Sequence, residues 1–278
     1  MRAHFGGSSR ESLKASRSAL DAAVKGSTPE SASDLCTELF FSAHILAGSI
    51  GLRRAITDPS RDSAAKAVLI TEIFGKSLDS KALGIITTIS SLRWSSSGDL
   101  VQVVEQLAIE AEASAANMAN ELDRVEDEFF AISQAISSSF DLRKALIASD
   151  AVDAKSALIL DLLGRTASAS TIKLVTHLVN NLRGRSIEAA FEDYLYALAA
   201  RRNRVIAHVR VATQLTATQH DRLVALLTAQ VGQPVRVNLE IDPTIVGGVS
   251  VRFGDEIVDG TISNRLAGAG RAVVGVHA

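Results

Sequence analysis

The chain has 278 residues, 47% of them apolar and 22% charged, with a formal net charge of −2. That length buries a sizeable core and suggests about two domains. The near-neutral balance, with a pI near 6.3, lacks the basic footprint of a nucleic-acid binder, so no nucleic-acid partner is expected.

Aromatic residues make up only 4% of the chain, while Ala, Leu, Ser and Val dominate. That bias favours helices with small, smooth packing surfaces. Cys36 is the single cysteine. It excludes an internal disulfide and reads as a small buried hydrophobe in a reducing compartment. The opening residues, MRAHFGGSSRESLKASRSAL, contain no apolar signal-peptide core. The longest apolar run, Leu39–Leu52, is broken by serines and a histidine. It is shorter than the ~20 residues a membrane-spanning helix needs. A soluble, cytoplasmic protein is expected, one that could still sit on a membrane complex.

Prolines occur only at positions 29, 59, 234 and 243. The Pro-free stretch between Ser60 and Gln233, rich in Ala and Leu, reads as a run of helices. Within it the sequence repeats itself. ELFFSAHILAGSIGLRRAI (Glu38–Ile56) parallels EFFAISQAISSSFDLRKAL (Glu128–Leu146). AAKAVLITEIFGKS (Ala64–Ser77) parallels DAKSALILDLLGRT (Asp153–Thr166), and ISSLRW (Ile89–Trp94) parallels VNNLRG (Val179–Gly184). The matches share an offset of roughly ninety residues, which points to a duplicated helical domain rather than a solenoid. Leu69 and Ile73, Ile70 and Phe74, Leu158 and Leu162, and Ile159 and Leu163 are i,i+4 pairs on helical stripes. Each stripe is followed by a glycine, Gly75 or Gly164, at a natural C-cap position.

The repeat also disposes of a tempting phosphate-binding loop at FGKS (Phe74–Ser77). Ile70 stands where that loop needs its first glycine, and a helical pattern precedes it where a strand should. Each copy carries an LRxA-like segment, Leu52–Ala55 and Leu142–Ala145. Such basic residues are ordinarily solvated helix ends. Their functional reading is an edge on which an acidic or helical partner docks, and the candidate edge is Leu142, Arg143, Leu182 and Arg183. The acid run in Glu121–Phe130 suits a helix start, where carboxylates complement the macrodipole.

After Val205 the period changes to two. Val205, Ala207, Val209 and Val211 alternate with polar or outward residues as in a strand. Thr216 and Gln219 have capping-box spacing ahead of a helix whose apolar stripe is Leu223, Leu226, Leu227 and Val231. Val235–Ile241 and Val249–Phe253 alternate as two further strands, and Ser263 suits the N-cap of a closing helix over Ile262–Val273. The expected fold class is mainly α. Two repeated helical-bundle domains, 1–117 and 118–203, precede a small β-α-β-β-α domain over 204–278.

Reaction chemistry is not visible. The six histidines are scattered, with no H-x-x-x-H pair, H-E-x-x-H helix or G-x-S-x-G elbow. Asp242, Asp255, Glu256 and Asp259 lie where turns and strand ends favour acids. Gly247-Gly248 lacks a G-x-G-x-x-G continuation and reads as a bend leading into a strand.

The stretch Val235–Leu266 resembles the delta subunit of F-type ATP synthases, the family of the mitochondrial oligomycin-sensitivity-conferring protein. The resemblance rests on Gly247-Gly248, Gly254-Asp255, Asp259-Gly260-Thr261 and Arg265-Leu266 in that order. It continues more weakly through the second helical copy and the first helix. The two copies match a lengthened form of the family. The resemblance implies a non-catalytic stator subunit with no cofactor and no metal. Its helical domain would bind N-terminal helices of alpha subunits, its C-terminal domain would engage the b subunit, and it would meet the membrane only through the complex. With no membrane segment ahead of the first helix, it also implies a separate b subunit if the chain is complete, the other arrangement being a fusion behind a b subunit. The residues immediately preceding the C-terminal domain favour the second copy as the head cap, so removal of Ser33–Asn117 is expected to leave head binding intact. The other reading is a free-standing helical adaptor or regulatory scaffold.

Overall fold

Helix caps written in the sequence divide the first two hundred residues. In the computed structural model, residues 5–147, 152–201, 205–231, 235–242, 248–253 and 256–259 are described, with 205, 206, 236, 253 and 256–259 described by backbone alone. The first helices are α1 (Gly7–Val24), α2 (Pro29–Gly48), α3 (Ile50–Thr57), α4 (Ser63–Phe74), α5 (Ser80–Ser91) and α6 (Ser97–Met118). Thr28, Ser49, Asp62, Asp79 and Ser96 each accept a backbone N–H at the start of the helix that follows, satisfying donors that would otherwise be orphaned. The next five are α7 (Leu122–Ser138), α8 (Phe140–Ile147), α9 (Val152–Leu163), α10 (Ala169–Asn180) and α11 (Ile187–Ala200).

The internal repeat extends to individual hydrogen bonds. Ser49 Oγ accepts from Leu52 N at 3.2 Å to start α3, and Ser139 Oγ accepts from Leu142 N at 3.3 Å to start α8. Glu38 on α2 accepts from Asp79 N, at the head of α5, at 3.1 Å. Glu128 on α7 accepts from Ser168 N, at the head of α10, at 2.9 Å. Hydrogen bonds from Thr171, Ser168 and Arg124 outweigh desolvation and hold the Glu128 carboxyl below its usual range.

Gly75 and Gly164 close α4 and α9 through bonds of 2.9 Å to Thr71 O and Leu160 O. Neither has the positive φ common at a helix C-cap. Glycine suits them for another reason: a methyl group would lie 2.5 Å from the Thr71 carbonyl oxygen at Gly75, and 2.4 Å from that of Leu160 at Gly164. We expect Gly75→Ala and Gly164→Ala each to destabilise the fold by roughly 1–3 kcal/mol, the scale of local backbone strain. A fall in urea midpoint at unchanged m-value checks this.

These helices form one compact unit, Met1–Leu198, and the rest of the chain a second, Ala199–Ala278. The position 117/118, where the sequence divides the copies, lies at the C-terminal end of α6. There Asn120 takes φ 58°, with Glu121 N bonded to Ala116 O and Asn120 N to Asn117 O. This is a Schellman stop with asparagine in the left-handed position. α6 itself is buried from Leu100 almost continuously to Ala116 and packs on α1, α2, α3, α7 and α10. Phe129 of α7 meets Phe191 and Tyr194 of α11, with ring centroids 5.4 and 6.0 Å apart.

The second unit contains β1 (Val205–Val211), α12 (Ala217–Val231), β2 (Val235–Ile241), β3 (Val249–Phe253) and β4 (Glu256–Asp259). Its sheet has the order β2-β1-β3-β4. β1 and β2 are parallel, in register from Val205–Val235 to Val211–Ile241. Such a pair needs a crossover, which α12 supplies. The capping box forms as expected: Thr216 N donates to Gln219 Oε1 at 2.9 Å, and Gln219 N donates to Thr216 Oγ1 at 3.3 Å. Ala207, Val209, Val211, Leu227, Val235 and Val251 make the core. Leu226 departs from the expected stripe and is exposed, because Leu223, Leu227 and Val231 already fill the face of α12 that meets the sheet. β4 is a strand the sequence did not announce. The closing helix expected over Ile262–Val273 lies outside the described residues.

Candidate partner-docking surfaces

Charged groups, unusually, organise the interior of the helical unit. Glu105, Glu110 and Glu112 of α6 are buried, and buried carboxylates require paired, hydrogen-bonded surroundings. Arg17 of α1 binds Glu110 through Nε and Nη2 at 2.8 and 2.6 Å. The attraction to Glu110 outweighs desolvation and raises the Arg17 pKa. Glu112 receives Ser33 Oγ of α2 at 2.8 Å, Ser170 Oγ of α10 at 2.6 Å and Lys173 Nζ of α10 at 3.1 Å. Glu105 receives Arg185 at 3.0 Å, Arg183 at 3.4 Å and the Tyr194 hydroxyl at 3.3 Å. The imidazole Nδ1 of His177 lies 2.7 Å from that hydroxyl. The opposite side of this link is a stack of His177 on Phe40 of α2, with centroids 3.5 Å apart.

Beside the stack, α2, α9 and α10 enclose a groove of about 550 Å³ lined by Thr37, Phe40, Val152, Leu160 and Asn180, among others. The Asn180 Oδ1 atom is buried there without a hydrogen-bond partner. The outer faces of α8 and α9 are apolar: Phe140 is 70% exposed, and Val152, Leu160 and Leu162 each more than half exposed. On α9 only Lys155 and Ile159 are buried, so the Leu158–Leu162 stripe is not a core stripe, whereas Ile70 and Phe74 of α4 are buried. The sequence did carry a signal for this surface. Residues 157–160, 162 and 163 are apolar, a wider set than the single stripe a surface helix turns to its core.

The residues singled out from the sequence fare unevenly. Leu142 and Arg143 lie on α8, and Arg143 Nη1 reaches Glu188 of α11 at 3.2 Å. Its Nε is buried without a partner. Leu182 and Arg183 lie in the turn after α10, where Arg183 adopts φ 50° and turns its guanidinium to Glu105. Both arginines are thus tied to carboxylates of neighbouring helices. Gly248 precedes β3 with φ 87°, a conformation that favours glycine. Asp259 ends β4 opposite Ser250. Gly247, Gly254, Asp255, Gly260, Arg265 and Leu266 lie outside the described residues.

Among the described residues no group of three or more His, Cys, Asp or Glu is placed to hold a metal ion. No single helix there is long and apolar enough to cross a membrane. α2 and α3 reach the composition only jointly, across a 104° bend, and α2 buries Leu35, Leu39, Phe40 and Leu46 inside the unit.

Comparison with known proteins places this architecture. The family described as "ATP synthase delta (OSCP) subunit" matches residues 108–273, from within α6 through the second unit. The chain is 42% identical over 266 residues to the ATP synthase subunit delta of Streptomyces coelicolor, covering 95% of this chain and 97% of that one. It is 41% identical over 272 residues to the subunit delta of Streptomyces avermitilis, covering 98% of each. With the subunit delta of Kineococcus radiotolerans it shares 37% identity over 270 residues, covering 97% of this chain and 98% of that one. The chain belongs to the ATP synthase delta (OSCP) subunit family, whose members are structural and not catalytic.

Proposed function

We infer that this protein is the stator link of a proton-translocating F-type ATP synthase: it joins the catalytic head to the membrane-anchored b subunit and resists rotor torque. It works as a peripheral subunit at the cytoplasmic face of a bacterial plasma membrane. One observation carries the reading. The similarity to subunits delta spans nearly their full lengths, so the repeated helices and the sheet unit occur together in them.

Within that role, the second helical copy receives N-terminal helices of alpha subunits, and the C-terminal unit around Gly247–Leu266 engages the b subunit. The exposed faces of α8 and α9, next to Leu142 and Arg143, support the first assignment. They offer apolar anchors to an amphipathic helix laid along them, and a helix-in-groove interface draws most of its energy from a few such anchors. Removing Ser33–Asn117 does not test this cleanly, because that segment includes Glu105 and Glu112, which hold α10 and the turn after it. A Phe140→Asp, Leu160→Asp variant tests it on exposed positions. Immobilised wild-type protein should capture head subunits from detergent-solubilised membranes, and the variant at least tenfold less. Equal capture by both sinks the assignment to α8 and α9. Wild-type protein migrating as a free monomer in native extracts, apart from all ATPase subunits, sinks the stator reading itself.

A further inference from the structure

One carboxylate joins three helices of the two copies. Glu112 is the last buried acid of α6, and its two oxygens accept hydrogen bonds from Ser33 of α2 and from Ser170 and Lys173 of α10. Lys173 closes the triangle: its ammonium also donates to the Ser33 carbonyl at 3.1 Å and contacts the Ser33 hydroxyl. By the repeat, α2 belongs to the first copy and α10 to the second. We propose that Glu112, with Ser33 and Lys173, is a register lock that carries load between the two helical copies, so that the added copy stiffens the stator.

The physical case rests on what apolar packing cannot do. Ridges and grooves on helices repeat, so packed helices can slip by one turn into an alternative fit. A buried charge with fixed donors has one fit only, because a slip of one turn leaves the carboxylate without partners. Buried polar and ionic groups are best attested in this registry role, even where they add little net stability. The geometry suits it. Glu112 is 2% exposed, its donors come from two directions, and the Phe40–His177 stack crosses the same α2–α10 seam. Two turns earlier on α6, Glu105 binds Arg183 and Arg185, so α6 is held to the second copy at two positions along its length.

This inference rests on the stator reading, and its test separates the two. Hydrogen exchange on isolated Glu112→Gln and Ser33→Ala proteins reports the lock without any ATPase present. Amides of α2 and α10 should exchange at least tenfold faster in Glu112→Gln, while those of α12 keep their wild-type rates. Ser33→Ala, which removes only one hydroxyl, should show the same pattern to a smaller degree and keeps the question answerable if Glu112→Gln fails to fold. Unchanged exchange along α2 and α10 in the folded variants overturns the proposal. The second arm uses Glu112→Leu with Lys173→Met, an apolar replacement that preserves packing. In inverted membrane vesicles, proton pumping per ATP hydrolysed should fall at least twofold with the subunit still bound to the complex. Wild-type coupling in that variant also overturns the lock, whereas absence of even the wild-type protein from the complex would instead overturn the stator reading.

Discussion

Acidification from pH 7 to pH 4.5 should weaken the helical unit by about 2–3 kcal/mol through His177 alone, and His177→Gln should remove that part of the loss. The imidazole is held down to about 3 by burial first, then by the charges of Arg183, Arg185 and His44. The Nδ1 atom of the ring lies 2.7 Å from the Tyr194 oxygen, and the ring lies flat on Phe40. A proton added to this ring faces two guanidinium groups. The unfolded chain takes up a proton near its ordinary value of 6.5, while the folded chain refuses it until about pH 3. Between those values the unfolded state binds more protons, so stability falls as pH falls. Above pH 6.5 the group contributes no pH dependence. Glu38 and Asp193, whose carboxyls burial raises, tilt the curve the other way, since a raised carboxyl favours the fold at low pH. The measurement is therefore a difference: urea unfolding of wild type and His177→Gln at pH 7 and pH 4.5. Parallel pH slopes for the two proteins would refute the assignment.

The same residue shows where sequence reading stops. A lone histidine in HLVNNL gives no hint that it stacks on a phenylalanine far upstream, because the contact is made by α2 crossing α10. Local chemistry was more legible. Thr216 and Gln219 form their box because a capping box is complete within four residues. Ala207, Val209 and Val211 of β1 face the core because strand periodicity is local too. The duplicated segments were visible as text, and their equivalent caps at Ser49 and Ser139 follow from equal local sequence. What could not be read was α6. Its carboxylates at 105, 110 and 112 resemble the solvated face of an ordinary helix until their partners, distant in sequence, fold around them. The candidate surface was half legible for the same reason. Arg143 and Arg183 were noticed for their charge, yet both are tied to carboxylates of neighbouring helices. Leu162 is exposed, although its i,i+4 spacing from Leu158 reads as a core stripe.

Removing the Arg17 side chain should free α1 from the helical unit. α1 buries Ser9, Ser12, Ser16 and Leu20, so Leu20 is the one large apolar anchor among them. Polar contacts add to it: Ser9 donates to Asp99 at 2.6 Å, Ser12 donates to the Arg93 carbonyl, and Arg17 pairs with Glu110. In that last pair the acid is fully buried and Arg17 is 30% exposed. Arg17→Ala thus leaves the buried Glu110 carboxylate with its hydrogen bond from Gln106 but without its paired guanidinium, a loss of about 3 kcal/mol at the lower end for a broken buried pair. Glu110→Gln leaves the guanidinium access to water and should cost less. Lys25 and Gly26 follow α1 in an exposed turn with Gly26 at φ 72°, and a tryptic cut after Lys25 reports release of the helix. Because about 1.4 kcal/mol is a tenfold change in an opening equilibrium, cleavage there should rise roughly 100-fold in Arg17→Ala. Pairing Arg17→Ala with Glu110→Leu removes the buried charge that has lost its cation and should recover most of the protection. If Arg17→Ala is cut at the wild-type rate, the serine contacts and Leu20 hold α1 by themselves, and the ion pair contributes only to its orientation.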